Sequence, residues 1–167
     1  MSFEWVLYLC LFLALWSAVI GGVFSAFSEF VMSGLLRAEP AGGMEAMQHI
    51  NRTVMTTQFV AGIILITPLS IGFAIYAWLD LDGAAQTTLI AAPMVYLPSV
   101  FLMTMLGNVP MNNKLEGMDY TAPESETYWR HYGRVWTRLN HFRTIGSVVT
   151  AGLYLAAAVA LISSGQA

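Results

Sequence analysis

Four long uncharged stretches, Trp5–Ser28, Thr53–Leu79, Gly83–Asn113 and Thr144–Ala167, alternate with short segments that hold the charge. About 20 apolar residues in a helix cross a bilayer, so each stretch is long enough to span one. The pattern predicts an all-α fold, an up-down bundle of four membrane helices over residues 4–37, 43–80, 83–109 and 124–164. They form a single transmembrane domain over residues 1–167. The Asp80-Leu81-Asp82-Gly83 turn makes the second and third helices an antiparallel pair.

Composition agrees with the pattern. The chain is 57% hydrophobic and only 10% charged, where soluble domains carry about 25% charge. Its 167 residues leave no room for a separate soluble domain. An acidic residue in Met1-Ser2-Phe3-Glu4 argues against a cleavable signal, which needs a basic start. Cys10 is the sole cysteine, which excludes an internal disulfide and a cysteine metal cage. A net charge of −3 without a basic tail gives nucleic-acid binding no support.

Every Lys and Arg (Arg37, Arg52, Lys114, Arg130, Arg134, Arg138, Arg143) lies between helices 1 and 2 or between helices 3 and 4. Basic loops stay in the cytoplasm, so both termini are expected on the non-cytoplasmic side of a multi-pass protein of the inner membrane. Helix packing in lipid relies on small residues. Two rows are candidates: Ser17, Gly21 and Ser25 on helix 1, with Ala18, Gly22 and Ala26 beside them, and Gly152, Ala156 and Ala160 on helix 4. Pro68, Pro93 and Pro98 should bend helices 2 and 3.

Side chains advance by about 100° per helical residue, which assigns each polar residue a face. Glu29 follows Gly22 and Ser25 along the small-residue face and is expected to point inward. On helix 2, Glu45, His49 and Arg52 form a solvated flank with a helical ion pair, while Met47, Asn51, Met55 and Gln58 form a lining. In the last helix, Trp129, Tyr132, Trp136, Asn140 and Arg143 share one face. Arg130, Arg134 and Arg138 form a separate stripe facing lipid phosphates or water. The asparagines of Gly107-Asn108-Val109-Pro110-Met111-Asn112-Asn113 exceed what helix capping explains. No cofactor is predicted. The alternative, a haem or metal on His49, His131 and His141, is disfavoured because all three lie on charged flanks and two adjoin arginines that repel a cation.

The inward polar groups are therefore Glu29, Asn51, Gln58, Asn108, Asn112, Asn140 and Arg143, with Trp129, Tyr132 and Trp136 adjacent. Amides, an arginine and aromatics suit a flat aromatic ligand whose oxygen becomes negative. No nucleophile-base pair or phosphate-cradling glycine loop is present, which disfavours hydrolysis and phosphoryl transfer.

These residues carry a resemblance. Gly22-Val23-Phe24-Ser25-Ala26-Phe27-Ser28-Glu29-Phe30-Val31-Met32, Ala46-Met47-Gln48-His49-Ile50-Asn51, Gly107-Asn108-Val109-Pro110-Met111-Asn112-Asn113 and the spacing Trp129, Trp136, Asn140, Arg143 resemble the small four-helix membrane proteins related to anthrone oxygenases. The resemblance covers nearly the whole chain. It implies four membrane helices and, as in characterised relatives, oxidation of an anthrone to an anthraquinone with molecular oxygen. In such a reaction Glu29 would act as the base. Asn51, Asn108, Asn140 and Arg143 would hold the oxyanion, with Asn112 and Gln58 also lining the site, and Trp129, Tyr132 and Trp136 would flank the rings. Expected partners are membrane lipids and an aromatic small molecule or quinone, and a homo-oligomer is open. The competing reading is a non-enzymatic accessory subunit of a larger membrane complex, binding quinone or lipid; a metal-dependent membrane oxidoreductase is a third.

Overall fold

The computed structural model describes residues 4–164. The tripeptide before Glu4, which bears on the signal expectation, lies outside them. The described residues form five helices without strands: α1 (Glu4–Arg37), α2 (Pro40–Val54), α3 (Gln58–Asp80), α4 (Gly83–Glu116) and α5 (Ser125–Ser163). All but α2 are long and apolar enough to cross a membrane. The protein is thus a multi-pass membrane protein of four spans with one short extra helix.

The expected second helix, 43–80, is two helices. Thr56 and Thr57 turn their hydroxyls back onto the carbonyls of Thr53 (3.1 Å) and Val54 (2.7 Å), and Thr57 takes an extended backbone. Threonine hydroxyls compete in this way for backbone acceptors that helix N–H groups would otherwise use. Pro40 starts α2 at a position where its missing N–H costs nothing. The third span runs on past 109 to Glu116, through Pro110. At the other end of the bundle Gly83 holds φ +62°, a left-handed value open to glycine, and Gln86 Nε2 closes the turn on the Leu81 carbonyl (2.8 Å).

Helices α1 and α4 each contain widened π-helical turns, Phe27–Val31 in α1 and Leu97–Leu102 with Thr104–Asn108 in α4. A π turn adds a residue to the ring and rotates the rest of the helix, and such turns gather at functional sites. Here both face the same part of the bundle.

The core has two parts. The membrane part joins Val6, Cys10, Leu13, Ile20 and Phe24 of α1 to Phe73, Leu89, Tyr96, Tyr154 and Leu161 of the other spans. The Tyr96 hydroxyl donates to the Ile63 carbonyl (3.0 Å), and Tyr154 and Ser70 share a hydrogen bond of 2.7 Å. The second part, at the end carrying the basic residues, packs Met32, Met44, Met47 and Leu115 against Trp129, Tyr132 and Trp136. Outside, Tyr8, Leu15, Trp78, Leu79, Met94, Leu106, Ile145 and Val159 stand exposed, as lipid-facing side chains should.

Small-residue packing is found on α1 as expected, where Ser17 and Gly21 are buried and Gly21 approaches Ser147. On α5 the expected row is displaced. Gly152 and Ala156 face outward, and the buried row is Gly146, Ser147, Thr150, Ala151, Ala157 and Ala158. The regular 3.6-residue period allowed either face, and contact with α1 selected this one.

Helix α2 folds back over the end of the bundle. Gln48 Nε2 donates to the carbonyls of Leu115 and Met118, both at 2.9 Å, and Arg52 pairs with Glu116 of α4 rather than within its own helix. In the following loop, the N–H and hydroxyl of Thr121 both donate to Asp119 Oδ1, which holds that carboxyl below its ordinary pKa. The approach of α2 is set by Gly43, where a Cβ would strike the Leu35 backbone carbonyl and the Trp129 ring; at neighbouring Gly42 nothing lies within 4 Å. Gly43→Ala is expected to destabilise by about 1–3 kcal/mol through overpacking. Gly42→Ala should leave stability unchanged or raise it by a few tenths of a kcal/mol through helix propensity. Thermal melts of the two variants in detergent compare them directly.

Candidate functional site

A cavity of about 240 Å³ lies where the widened turns of α1 and α4, the α2–α3 break and the middle of α5 meet. Its walls are mostly apolar: Val23, Phe24 and Phe27 from α1, Met47, Ile50 and Val54 from α2, Phe59 and Ile63 from α3, and Phe101 from α4. The polar lining consists of Asn51, Thr104, Asn108, Asn112, Asn140 and Arg143, with Trp136 beside them. A small number of placed polar groups in an apolar pocket is the usual form of a small-molecule site.

Asn140 is fully buried, and its Nδ2 donates to the Phe24 carbonyl (2.6 Å) and the Ser28 hydroxyl (2.7 Å). Both contacts are to α1. The Phe24 carbonyl can only accept, so it fixes which end of the amide points at α1 and turns Oδ1 the other way. That oxygen is buried without a hydrogen-bond partner. Asn108 repeats the arrangement, with Nδ2 donating to the Trp136 carbonyl (3.3 Å) and Oδ1 unpartnered. Asn51 is the opposite case, since the unpartnered atom is its Nδ2; the Tyr132 hydroxyl is nearby but outside hydrogen-bond geometry.

Arg143 is 5% exposed, and its guanidinium carbon lies 3.8 Å from the centroid of the Phe24 ring. Its Nε is buried without a partner, and no carboxylate pairs with it among the described residues. A cation–π contact offsets only about 2 kcal/mol of the cost of burying a charge, and that cost is several kcal/mol per ion. An anionic ligand oxygen would complete the balance. About 30 Å of helix separates Arg143 from Ser163, so the guanidinium stands near one edge of the hydrocarbon.

The aromatic residues of α5 form a ladder. Trp129 stacks on Tyr132 (5.7 Å between centroids, 17° between planes), and Tyr132 on Trp136 (6.0 Å, 24°). Asn112 Oδ1 accepts from both the Tyr132 hydroxyl and the Trp136 indole N–H, each at 2.8 Å. Only Trp136 reaches the cavity. Trp129 and Tyr132 share its helical face, but the cavity ends a turn before them and they stack in the α2-facing core instead.

Two further expectations are corrected. Glu29 is exposed and does not line the cavity; it accepts a hydrogen bond from Ser25 on the outer side of α1. The buried line of α1 runs through Ser17, Gly21, Phe24 and Ser28, whereas Gly22, one heptad before Glu29, is itself exposed. Gln58 is also exposed, because the break at Met55–Thr57 restarts the helical phase at α3, although Met47, Asn51 and Met55 before it do line the cavity. His49, His131 and His141 are all exposed and outside the cavity. Among the described residues no three His, Cys, Asp or Glu side chains form a group that could hold a metal ion. Arg37, Arg134 and Arg138 line a separate recess between α1 and α5. Phe24, Phe27, Ser28, Phe59 and Thr104 were not expected at the site: four of them are apolar or small residues indistinguishable by type from the rest of a membrane span, and Thr104 lies in a widened turn.

The fold and site define a class: a small four-span membrane bundle enclosing an apolar cavity that ends in buried amides and an unpaired arginine. The chain belongs to the anthrone oxygenase family, whose model matches residues 48–153. That match covers α3 and α4 together with the second half of α2 and most of α5, and so takes in Asn51, Asn108, Asn112, Asn140 and Arg143. No curated protein and no solved structure matches the chain.

Asn112 supports the ladder at one atom. Asn112→Ala removes the acceptor of two donors, one of them on the fully buried Tyr132, and is expected to cost about 1–3 kcal/mol. Tyr132→Phe removes one donor and leaves Oδ1 bonded to Trp136, so its cost should be smaller. Melting both variants in detergent tests the order.

Proposed function

We propose that this protein is a membrane oxidoreductase of the anthrone oxygenase type, which oxidises a hydroxylated polycyclic aromatic ketone with molecular oxygen in the cavity beside Arg143. In the overall reaction a ring CH₂ becomes a carbonyl, one O₂ is consumed and one water is released. The observation that carries this reading is the buried guanidinium without a counter-ion, set among amides in an apolar, ring-sized space.

Chemistry assigns the lining residues two roles. Arg143 and Asn51 Nδ2 are the free donors, and they face the ketone oxygen as it gains negative charge. Asn140 has used both of its amide hydrogens and Asn108 one of its two, and their free Oδ1 atoms accept from ring hydroxyls. This divides a group of amides that composition alone would assign together to the oxyanion. Donors fixed in advance in a water-poor site stabilise a developing oxyanion more than water does.

Among the described residues Arg143 is the sole titratable side chain lining the cavity. With Glu29 outside, the ring proton passes to water, and pairing of the resulting anion with Arg143 makes that loss favourable. The electron-rich anion then reacts with oxygen. Trp136 and Phe24 bound the ring faces. The inner membrane remains the expected location, with the Arg143 end toward the cytoplasm.

Oxygen uptake by the purified protein in nanodiscs supplied with an anthrone tests this. Arg143→Ala is expected to lower the rate by about 10²–10³, the usual cost of losing one oxyanion donor. Asn140→Ala should also lower it, and Glu29→Gln should keep it. Unchanged uptake in both Arg143→Ala and Asn140→Ala would sink the assignment. Co-migration of the native protein with a large assembly, together with no uptake by the pure protein, would favour the accessory-subunit reading.

A further inference from the structure

The exposed residues and the polar residues of the cavity lining are separate sets. Three lining residues are exposed: Met55 (64%), Ile64 (55%) and Met105 (49%). All are apolar. Asn108, Asn140 and Arg143 are buried, Asn140 and Arg143 on α5 and Asn108 on α4 with its amide on the Trp136 carbonyl of α5. A cavity filled from water would carry polar groups at its rim, because an apolar rim in contact with water is costly to maintain.

Ile64 and Met105 lie in membrane-spanning helices, and Met55 stands in the break just before α3. Ile64 is about 9 Å along α3 from its first residue, Gln58, and Met105 belongs to the widened stretch of α4. Around them Leu65, Leu102 and Leu106 also point outward. These neighbours match hydrocarbon, and the rim is continuous with them.

We infer that the cavity opens sideways into the bilayer between α3 and α4, through an opening framed by Met55, Ile64 and Met105, and that its ligand is an uncharged aromatic molecule dissolved in the membrane. The ligand enters neutral through an apolar frame and meets donors and acceptors only at the far wall. Charged or strongly hydrated aromatics are excluded by the frame before they reach Arg143. The opening stands on geometry alone, and only the aromatic nature of the ligand rests on the proposed reaction.

The first test does not depend on turnover. Nitroxides are attached in turn to Ile64→Cys and Met105→Cys in phosphatidylcholine nanodiscs; native Cys10 is buried and stays unlabelled. Collision with oxygen, which concentrates in lipid, should exceed collision with a water-soluble nickel chelate at both positions. Dominance of the chelate, or low collision with both agents, overturns the lateral opening. The second test fills the frame with Ile64→Phe and Met105→Phe together and follows binding of anthraquinone from the nanodisc by quenching of tryptophan emission. Association should slow by about tenfold, as expected when access to a site is obstructed, and an unchanged rate overturns the inference. If anthrone-dependent oxygen uptake is absent while both results hold, the reaction reading fails and the opening stands.

Discussion

The Asn140 amide holds the site together. With one side chain it donates to the Phe24 carbonyl and the Ser28 hydroxyl, tying α5 to α1 where α1 widens into its π turn. Inside hydrocarbon a backbone or hydroxyl group without a partner costs several kcal/mol, so this pair of bonds gives the irregular turn a partner on the neighbouring helix. The fastening has three effects. Ser28 faces inward and Glu29 outward, Phe24 is held beneath the Arg143 guanidinium, and the second amide atom of Asn140 is left free. Asn108 reaches the same state by donating to the Trp136 carbonyl. The unpartnered oxygens are therefore products of how the helices are fastened.

What could be read from the sequence depended on whether the helix stayed regular. On α5 the period runs unbroken, and Trp136, Asn140 and Arg143 fall on one face that the structure turns into a cavity wall. Four spans were legible for an equally simple reason, since long uncharged stretches have few alternatives. Face assignment failed at two positions for different reasons. Gln58 lies just past a break made by threonine hydroxyls, which restarts the helical phase, whereas Glu29 keeps the line of Gly22, and the structure buries the neighbouring line through Gly21, Phe24 and Ser28. Trp129 shows a different limit. Its face was readable, but the depth at which the cavity ends was not, because that depends on α2 folding over it through Gly43.

The apolar bulk of the chain and its few inward polar groups divide the labour. The outer apolar surface places the bundle in lipid, and the same kind of surface continues through Met55, Ile64 and Met105 into the cavity. Polarity then rises over a short distance, where Asn140 and Arg143 of α5 meet Asn108 of α4. A ligand crossing that distance would be oriented by the gradient itself, with its ring edge bearing oxygen toward Arg143 and its hydrocarbon edge toward α3 and α4.

A lone arginine can be sufficient at such a wall. In water an oxyanion and a guanidinium at contact attract by only about 1 kcal/mol, while at an effective dielectric near 20 the figure is about 4 kcal/mol. Each unit of pKa corresponds to about 1.4 kcal/mol, so the gain would move the acidity of a bound ketone by a few units toward neutrality. A neighbouring carboxylate would cancel that gain by pairing with Arg143 first. On the proposed reaction, the outward position of Glu29 is therefore favourable: it leaves Arg143, the one buried cation among the described residues, free for the substrate anion.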